Sequence, residues 1–503
     1  MSGSVHHRSG DPRRLPTAVP FALVVVAYAL TLLAPGCAIN PATGKSQFSL
    51  VSESQEIQLG VEGDKGIQAE YGIYEDPELT AYVDRVGQKL AAVSERPDLE
   101  WHFRVIDSPV INAFALPGGY IYITRGILAV LNSEAQLAGV LGHEIGHVTA
   151  RHGAQQMTRA QLAALGFGVG SAFIEGFRPY SELAQQGLGL LFLKYGRGDE
   201  TLADELGVRY TTRAGFDPRE IPATYGTLAQ LAAQSGQSLP TFLSTHPDPG
   251  SREVTTQQLA AAAVAGRKDT APLRVAANEY KQELSGLVYG DDPREGFVEA
   301  GVFYHPGLRF QLRFPDGWKI QNTQQAVTGV AADQKAAVEM TLAPAGGAAT
   351  PADYVRALQQ KGAISEAAGR TGKVSVWPAW IGRIVIPKEG AAGSPLHAAW
   401  VARDAGRYYQ FLGAPGDAAG EPGFSSTLTS FRELTDAAKL GRQPNRVELV
   451  TVAQPSATLA TVVQGTARLA IAAEEIAFIN HATTDAILRK GFLLKVVQEP
   501  ADR

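Results

Sequence analysis

Two histidines flank a glutamate in His143-Glu144-Ile145-Gly146-His147, within a stretch whose apolar residues recur at helical spacing. Residues four apart share one face of an α-helix, so both imidazoles can reach one metal ion while Glu144 projects beside a water held there. Zinc with three protein ligands lowers the pKa of the water in its fourth position to about 7, and a neighbouring carboxylate can take that water's proton and return it to a leaving amine. The chemistry open to such a set is metal-assisted hydrolysis. A second pair of candidates is Glu200 and Asp204 in Glu200-Thr201-Leu202-Ala203-Asp204, one helical turn apart. One of them could bind the metal while the other accepts the outer ring N–H of a ligating histidine.

These residues need elements to hold them. The pattern predicts helices starting at Ser52 and at Asp76-Pro77, the second with Leu79, Tyr82, Val83, Val86 and Leu90 on its apolar face. Trp101 to Ile106 and Tyr120 to Thr124 read as strands, separated by Asn112-Ala113-Phe114-Ala115 and Pro117-Gly118-Gly119. A helix from Ser133 to about His152 carries the histidine motif, with Leu137, Val140 and Leu141 on its apolar side, and a further helix spans Asp199 to Arg213 before Gly215. Between them Leu162 to Leu193 is apolar and glycine-rich, and reads as packed core helices or as a lid over the site.

Composition narrows the setting. Hydrophobic residues make up 45% and charged residues 19%, and the net charge of −5 supplies no basic field, which argues against nucleic acid as a partner. The one cysteine, Cys37, permits no internal disulfide and no cysteine-built zinc site, so any metal must be held by His and carboxylates. Arg8, Arg13 and Arg14 precede an apolar run from Val19 to Ala34, short for a membrane span but suited to a secretory leader. Leu33-Ala34-Pro35-Gly36-Cys37 resembles the end of a bacterial lipoprotein signal, with Cys37 as the lipidated residue, although Ala34 stands where such signals usually place Leu. The expectation is a periplasmic protein tethered to the outer membrane by lipid alone.

In order, Asn112 to Ala115, Pro117 to Gly119, His143 to His147, Arg151-His152, Glu200 to Asp204 with Gly207, and Ala214-Gly215-Phe216-Asp217-Pro218 resemble the zinc peptidases related to HtpX and the prenyl-protein (CAAX) proteases, and more narrowly their secreted, periplasmic branch. The similarity covers about Asn40 to Arg252. It implies a gluzincin with one zinc ion per chain, bound by His143, His147 and Glu200, with Glu144 as general base and Asp204 orienting a ligand. It implies that Asn112, Ala113, Phe114 and Ala115 form an edge strand on which a peptide substrate docks by strand addition. Ser244-Thr245-His246-Pro247 also has a counterpart there, whose histidine occupies the open zinc position or stabilises the oxyanion. His152 is read as supporting a ligand or as packing.

The expected fold is α+β: a leader (1–36), a mostly helical zincin-type peptidase domain with a small sheet (37–255), an alanine-rich helical linker (256–300), an α+β domain (301–440) and a small C-terminal unit (441–503). Leu308, Phe310, Leu312 and Phe314 alternate with polar residues as in a half-buried strand. Val374 to Ile386 and Ala398 to Leu412 look β-like, and Pro351 to Gln360 helical. Val447 to Val497 faintly resembles a LysM module, which implies contact with peptidoglycan. Two functions are expected of this whole: an endopeptidase for unfolded or misassembled envelope proteins, or an envelope assembly factor or chaperone whose site is kept latent by His246.

Overall fold

The computed structural model describes residues 3, 37–164, 195–234, 246, 248–387 and 393–501. The leader and nearly all of the Leu162 to Leu193 stretch lie outside them. A short hairpin opens the chain, β1 (Cys37–Ile39) against β2 (Ser46–Phe48), followed by helices α1 (Glu53–Tyr71) and α2 (Pro77–Ala91). Ser52 caps α1 in a reciprocal box with Gln55, and Asp76 caps α2 ahead of a proline in the first turn, the arrangement that satisfies orphan N–H groups at a helix start. A three-stranded sheet follows, in the order β3 (His102–Ile106), β5 (Tyr120–Thr124), β4 (Ala113–Leu116). Among the described residues β4 pairs with β5 alone and forms one edge of the sheet.

The next elements are α3 (Arg125–Val130), α4 (Glu134–Thr149), α5 (His152–Ala164), α6 (Arg197–Arg213), α7 (Ile221–Gln234), α8 (Pro249–Ala265) and α9 (Ala277–Glu283). Among the described residues no helix is long and apolar enough to cross a membrane. One helix was expected through His152, but the chain breaks at Arg151, whose φ of +59° is a left-handed turn. The cause is a buried ion pair: Arg151 Nε donates to Glu56 at 2.7 Å, and Arg96 donates to the other Glu56 oxygen at 2.8 Å. Two further departures concern boundaries. Residue 255 falls inside α8, and the 256–300 stretch is no free linker, since Tyr280, Leu284, Leu287 and Val288 pack into the same core as Leu137, Leu141 and Ile145 of α4.

The helical region is followed by a β-rich one. Its main sheet has seven antiparallel strands in the order β12 (Glu366–Val374), β13 (Trp377–Val385), β14 (Pro395–Val401), β15 (Arg407–Ala414), β11 (Ala337–Pro344), β10 (Ala326–Val330), β9 (Lys319–Asn322). One face packs Trp380, Trp400 and Tyr408 under helix α10 (Pro351–Gln360). The other packs Tyr409 and Phe411 against Phe303, Phe310 and Phe314. The alternation read at Leu308 to Phe314 thus serves a strand with one buried face, β8 (Phe310–Arg313), in a separate four-stranded sheet.

The last unit runs β17 (Arg446–Thr451), β18 (Ser456–Thr458), two short helices (Leu459–Gln464 and Ala473–Ile479), β19 (Ile487–Arg489) and β20 (Leu493–Gln498), with β17 antiparallel to β20 and β18 to β19. Of these strands β20 is buried on both faces. Its Leu494 and Val496 join the unit's own core, while its Val497, with Val447 of β17, joins the core beside α4. Between them Lys495 is fully buried, and its Nζ donates to the carbonyls of Ala129 and Leu131 at 2.7 and 2.6 Å, where α3 ends and the turn into α4 begins. These are carbonyls a helix C-terminus leaves without intrahelical partners.

Candidate metal centre

Ser133 caps α4, accepting from Gln136 N, and every residue of the helix is buried. Close approach to α6 needs glycine at the crossing. A Cβ added at Gly142 would lie 3.1 Å from the Gly207 carbonyl oxygen, one at Gly146 would lie 3.1 Å from that of Ala203, and one at Gly207 would lie 3.0 Å from the amide of His143. Backbone therefore packs on backbone, and Glu200 and Asp204 of α6 arrive beside the two histidines of α4.

Four donors converge and all are buried: His143, His147, Glu200 and His246. Nε2 of His143 is 3.0 Å from Nε2 of His147 and 3.4 Å from Nδ1 of His246. Glu200 lies 3.6 Å from His143, 3.5 Å from His147 and 3.1 Å from His246. A tetrahedral ion bound at about 2.0–2.1 Å would separate its donors by about 3.3–3.4 Å. The spacing and the buried N₃O donor set fit one metal ion. A second observation agrees: among the described residues both oxygens of Glu144 are buried without a hydrogen-bond partner, beside the cluster, with Oε1 3.8 Å from Nε2 of His246. A bare buried carboxylate is costly unless a ligand or water meets it.

The outer contacts orient the rings. Nδ1 of His143 is 3.0 Å from Oδ1 of Asp204, which leaves Nε2 bare toward the cluster when that nitrogen carries the proton. Nδ1 of His147 is 2.9 Å from Nδ1 of His152, and the ring of Tyr195 stacks on His147 at 4.0 Å between centroids. Burial, with the other imidazoles and Arg252 nearby, holds His147 well below the usual imidazole range, so it is neutral and able to ligate. Burial also takes His152 down to about 4. Burial opposes charge on Glu200, but His246 and Arg252 outweigh it and hold the carboxyl at about 2. For His246 burial again works against the charge, and Glu200 and Glu144 reverse the balance and raise it.

Every residue singled out in the sequence for metal chemistry meets here, and the nearby sheet edge takes in Ala113, Phe114 and Ala115 and runs on to Leu116, with Asn112 just before it. A narrow space beside His147 is lined by Ala115, Leu116, Pro117 and Tyr195. Sequence reasoning missed Arg252. Its Nη1 is 2.7 Å from Glu200, its Nε and Nη2 grip Asp204 at 2.9 and 2.7 Å, and the guanidinium sits over the Tyr225 ring at 4.4 Å. Tyr225 also donates to Asp204 at 2.7 Å. The available signal was weak: an arginine six residues after His246, within the stretch of family likeness, ahead of an alanine-rich helix.

Residues 77–258 match the sequence model of peptidase family M48. A mitochondrial metalloendopeptidase, OMA1, of Schizosaccharomyces pombe is 35% identical over 212 residues, 41% of this chain and 61% of that protein. A beta-barrel assembly-enhancing protease of Yersinia pestis is 34% identical over 234 residues, 44% of this chain and 47% of that protein. Its Escherichia coli (strain K12) namesake is 31% identical over 248 residues, 46% and 50%. The chain thus spans about half to three fifths of the length of these relatives. Among solved structures, cyanobacterial PsbP (CyanoP) from Synechocystis sp. PCC 6803 covers 27% of this chain and 94% of itself, with a TM-score of 0.22 and 11% identity.

Proposed function

Because this chain carries a peptidase domain of family M48, we propose that it is a zinc-dependent endopeptidase that hydrolyses peptide bonds in unfolded or misassembled cell-envelope proteins. The observation that carries the reading is the meeting of His143, His147 and Glu200 beside the buried carboxylate of Glu144, which among the described residues accepts no hydrogen bond. Those three residues would hold one zinc ion, which when bound supplies the Lewis acidity that makes water nucleophilic at neutral pH. Glu144 takes the proton from the attacking water and passes it to the departing amine. Asp204 and His152 fix the ring orientations of His143 and His147. A substrate strand adds to the open edge at Asn112 to Ala115, where backbone pairing gives affinity with little sequence choice.

The setting belongs to the same proposal. The leader-like run before Cys37 and the likeness to beta-barrel assembly-enhancing proteases support a periplasmic protein, lipid-anchored at Cys37 to the outer membrane. The pairing of β17 with β20 around two helices, with the short β18–β19 pair between strand and helix on either side, is the feature of residues 446–498 that supports a LysM-like unit in contact with peptidoglycan. Caseinolysis by the purified chain tests the activity. Chelator should abolish cleavage and zinc restore it, while Glu144→Gln should keep its zinc and lose about 10²–10⁴-fold in rate. Persistent cleavage by Glu144→Gln discards the assignment.

One observation favours a second reading, an assembly factor or chaperone whose site seldom turns over: Nδ1 of His246 stands among the donors, 3.1 Å from Glu200 and 3.4 Å from His143. If His246 closes the site, His246→Ala raises cleavage. If it serves the reaction, the same change lowers it.

A further inference from the structure

The hairpin at the start of the described chain has features the peptidase chemistry does not use. In an antiparallel pair, residues directly opposite each other point to the same face, as do residues two apart along a strand. The register is Cys37 with Phe48, Ala38 with Gln47 and Ile39 with Ser46. One face therefore holds Gln47, and the other holds Ile39, Ser46 and Phe48. The Gln47 side is tied to the protein: Gln155 of α5 donates to Gln47 Oε1 at 2.6 Å. On the other side no described residue packs over the two large apolar side chains, Ile39 at 69% and Phe48 at 42% exposure. Leu50 just beyond is exposed as well, and Lys45 stands exposed in the turn. Two strands of three residues gain nothing for folding by showing Ile and Phe to water.

The hairpin is also rigid. Asn40 accepts from the amides of Ala42 and Thr43, and its Nδ2 donates to the carbonyl of Ala150, the C-cap of α4, at 3.0 Å. Ala150 is three residues past His147, about 4.5 Å along the helix axis. The apolar run Val19 to Ala34 is followed by Pro35, Gly36 and then Cys37, and Cys37 is the first residue of β1. A lipid on Cys37 would thus be joined to a folded strand with no intervening linker.

We propose that the Ile39–Phe48 face of this hairpin docks on the lipid bilayer and holds the metal centre at a fixed height and orientation over the membrane surface. The inference rests on the reading of Cys37 as lipidated. Ile39, Phe48 and Leu50 enter the headgroup and acyl boundary, where aliphatic and aromatic side chains add to the affinity of an acyl anchor, and Lys45 faces lipid phosphate. The substrates this arrangement selects are extended polypeptides at the membrane surface, presented to the Asn112 to Ala115 edge, rather than chains free in bulk solution.

The test uses the native chain, expressed with its leader and extracted from membranes. The mass of its N-terminal peptide reports on lipidation alone. The chain is then reconstituted in phosphatidylethanolamine and phosphatidylglycerol vesicles with or without brominated acyl chains, and Phe48→Trp is compared with Val376→Trp, at a 70% exposed position of the β-rich region. Docking is expected to quench most of the emission added by Phe48→Trp and none of that added by Val376→Trp. With lipid present on Cys37, equal quenching at both positions or at neither overturns the docking face and leaves the anchor standing. An unmodified Cys37 overturns the anchor, and the same quenching comparison with vesicles added to the soluble chain then decides the docking face by itself.

Discussion

Nη1 of Arg252 lies 2.7 Å from Oε2 of Glu200, while Nε and Nη2 of the same side chain hold both oxygens of Asp204. One cation thus fixes a candidate metal ligand together with the carboxylate that orients His143. Arg252→Lys keeps a positive charge but cannot make this planar fork. Zinc affinity should fall about 10–100-fold, the usual effect of losing an outer partner of a metal site. Competition with a chromogenic chelator measures it, and an unchanged affinity would show that the fork is not needed for binding.

The crossing of α4 and α6 depends on missing side chains. Gly146→Val places carbon against the Ala203 carbonyl and the Leu206 side chain, both within 3.2 Å of the added Cβ. It should destabilise the protein by about 1–3 kcal/mol and lower its zinc content. Gly198→Ala, also in α6 but with nothing near its added Cβ, should be neutral or stabilising by up to about 1 kcal/mol. Urea unfolding with chelator present separates the two, and equal behaviour would reject the packing argument.

Lys495→Met retains most of the buried volume and removes both hydrogen bonds to Ala129 and Leu131. Buried carbonyls left without donors should cost about 1–3 kcal/mol. The measurement is the urea midpoint of the full chain. A midpoint at or above that of the parent would mean that the buried amine opposes folding more than its bonds favour it.

Acid should loosen the same contact. Burial, then Lys495, holds His481 at about 4 against an ordinary value of 6.5, even though it bonds to the Val130 backbone, and Lys281 adds to the lowering. Between those values the unfolded state binds the proton and the folded state does not. The contribution is therefore complete above pH 6.5 and is lost as pH falls through about 4. Unfolding midpoints should drop over this window, and His481→Gln should flatten the drop. A slope unaltered by His481→Gln assigns the acid sensitivity elsewhere.

The parts of the site that could be read in advance were local ones. His143, Glu144 and His147 declare themselves within one turn of helix, and Glu200 and Asp204 within another, because a spacing of four is visible in any linear text. Arg252 has no such signature, since its partners Asp204 and Glu200 lie far back in the chain and nothing periodic marks it. The break at Arg151 was equally hidden. A left-handed residue usually betrays itself as glycine, but here a buried pair with Glu56 holds an arginine in that conformation. The packing of residues 256–300 and of the last unit onto the core beside α4 has no local signature either. Phe492-Leu493-Leu494-Lys495-Val496-Val497 is apolar on both faces of its strand, a pattern that asks for cover on two sides without saying which elements supply it.

That doubly covered strand bears on the order in which the molecule can be completed. A polypeptide leaves the ribosome amino end first, so the histidines of α4 emerge roughly 350 residues ahead of the lysine that seats the turn before them. Until β20 arrives, the carbonyls of Ala129 and Leu131 have no seal and the core beside α4 has an open side. Closure of the core that backs the metal centre is thereby deferred until the C-terminal strand has been made.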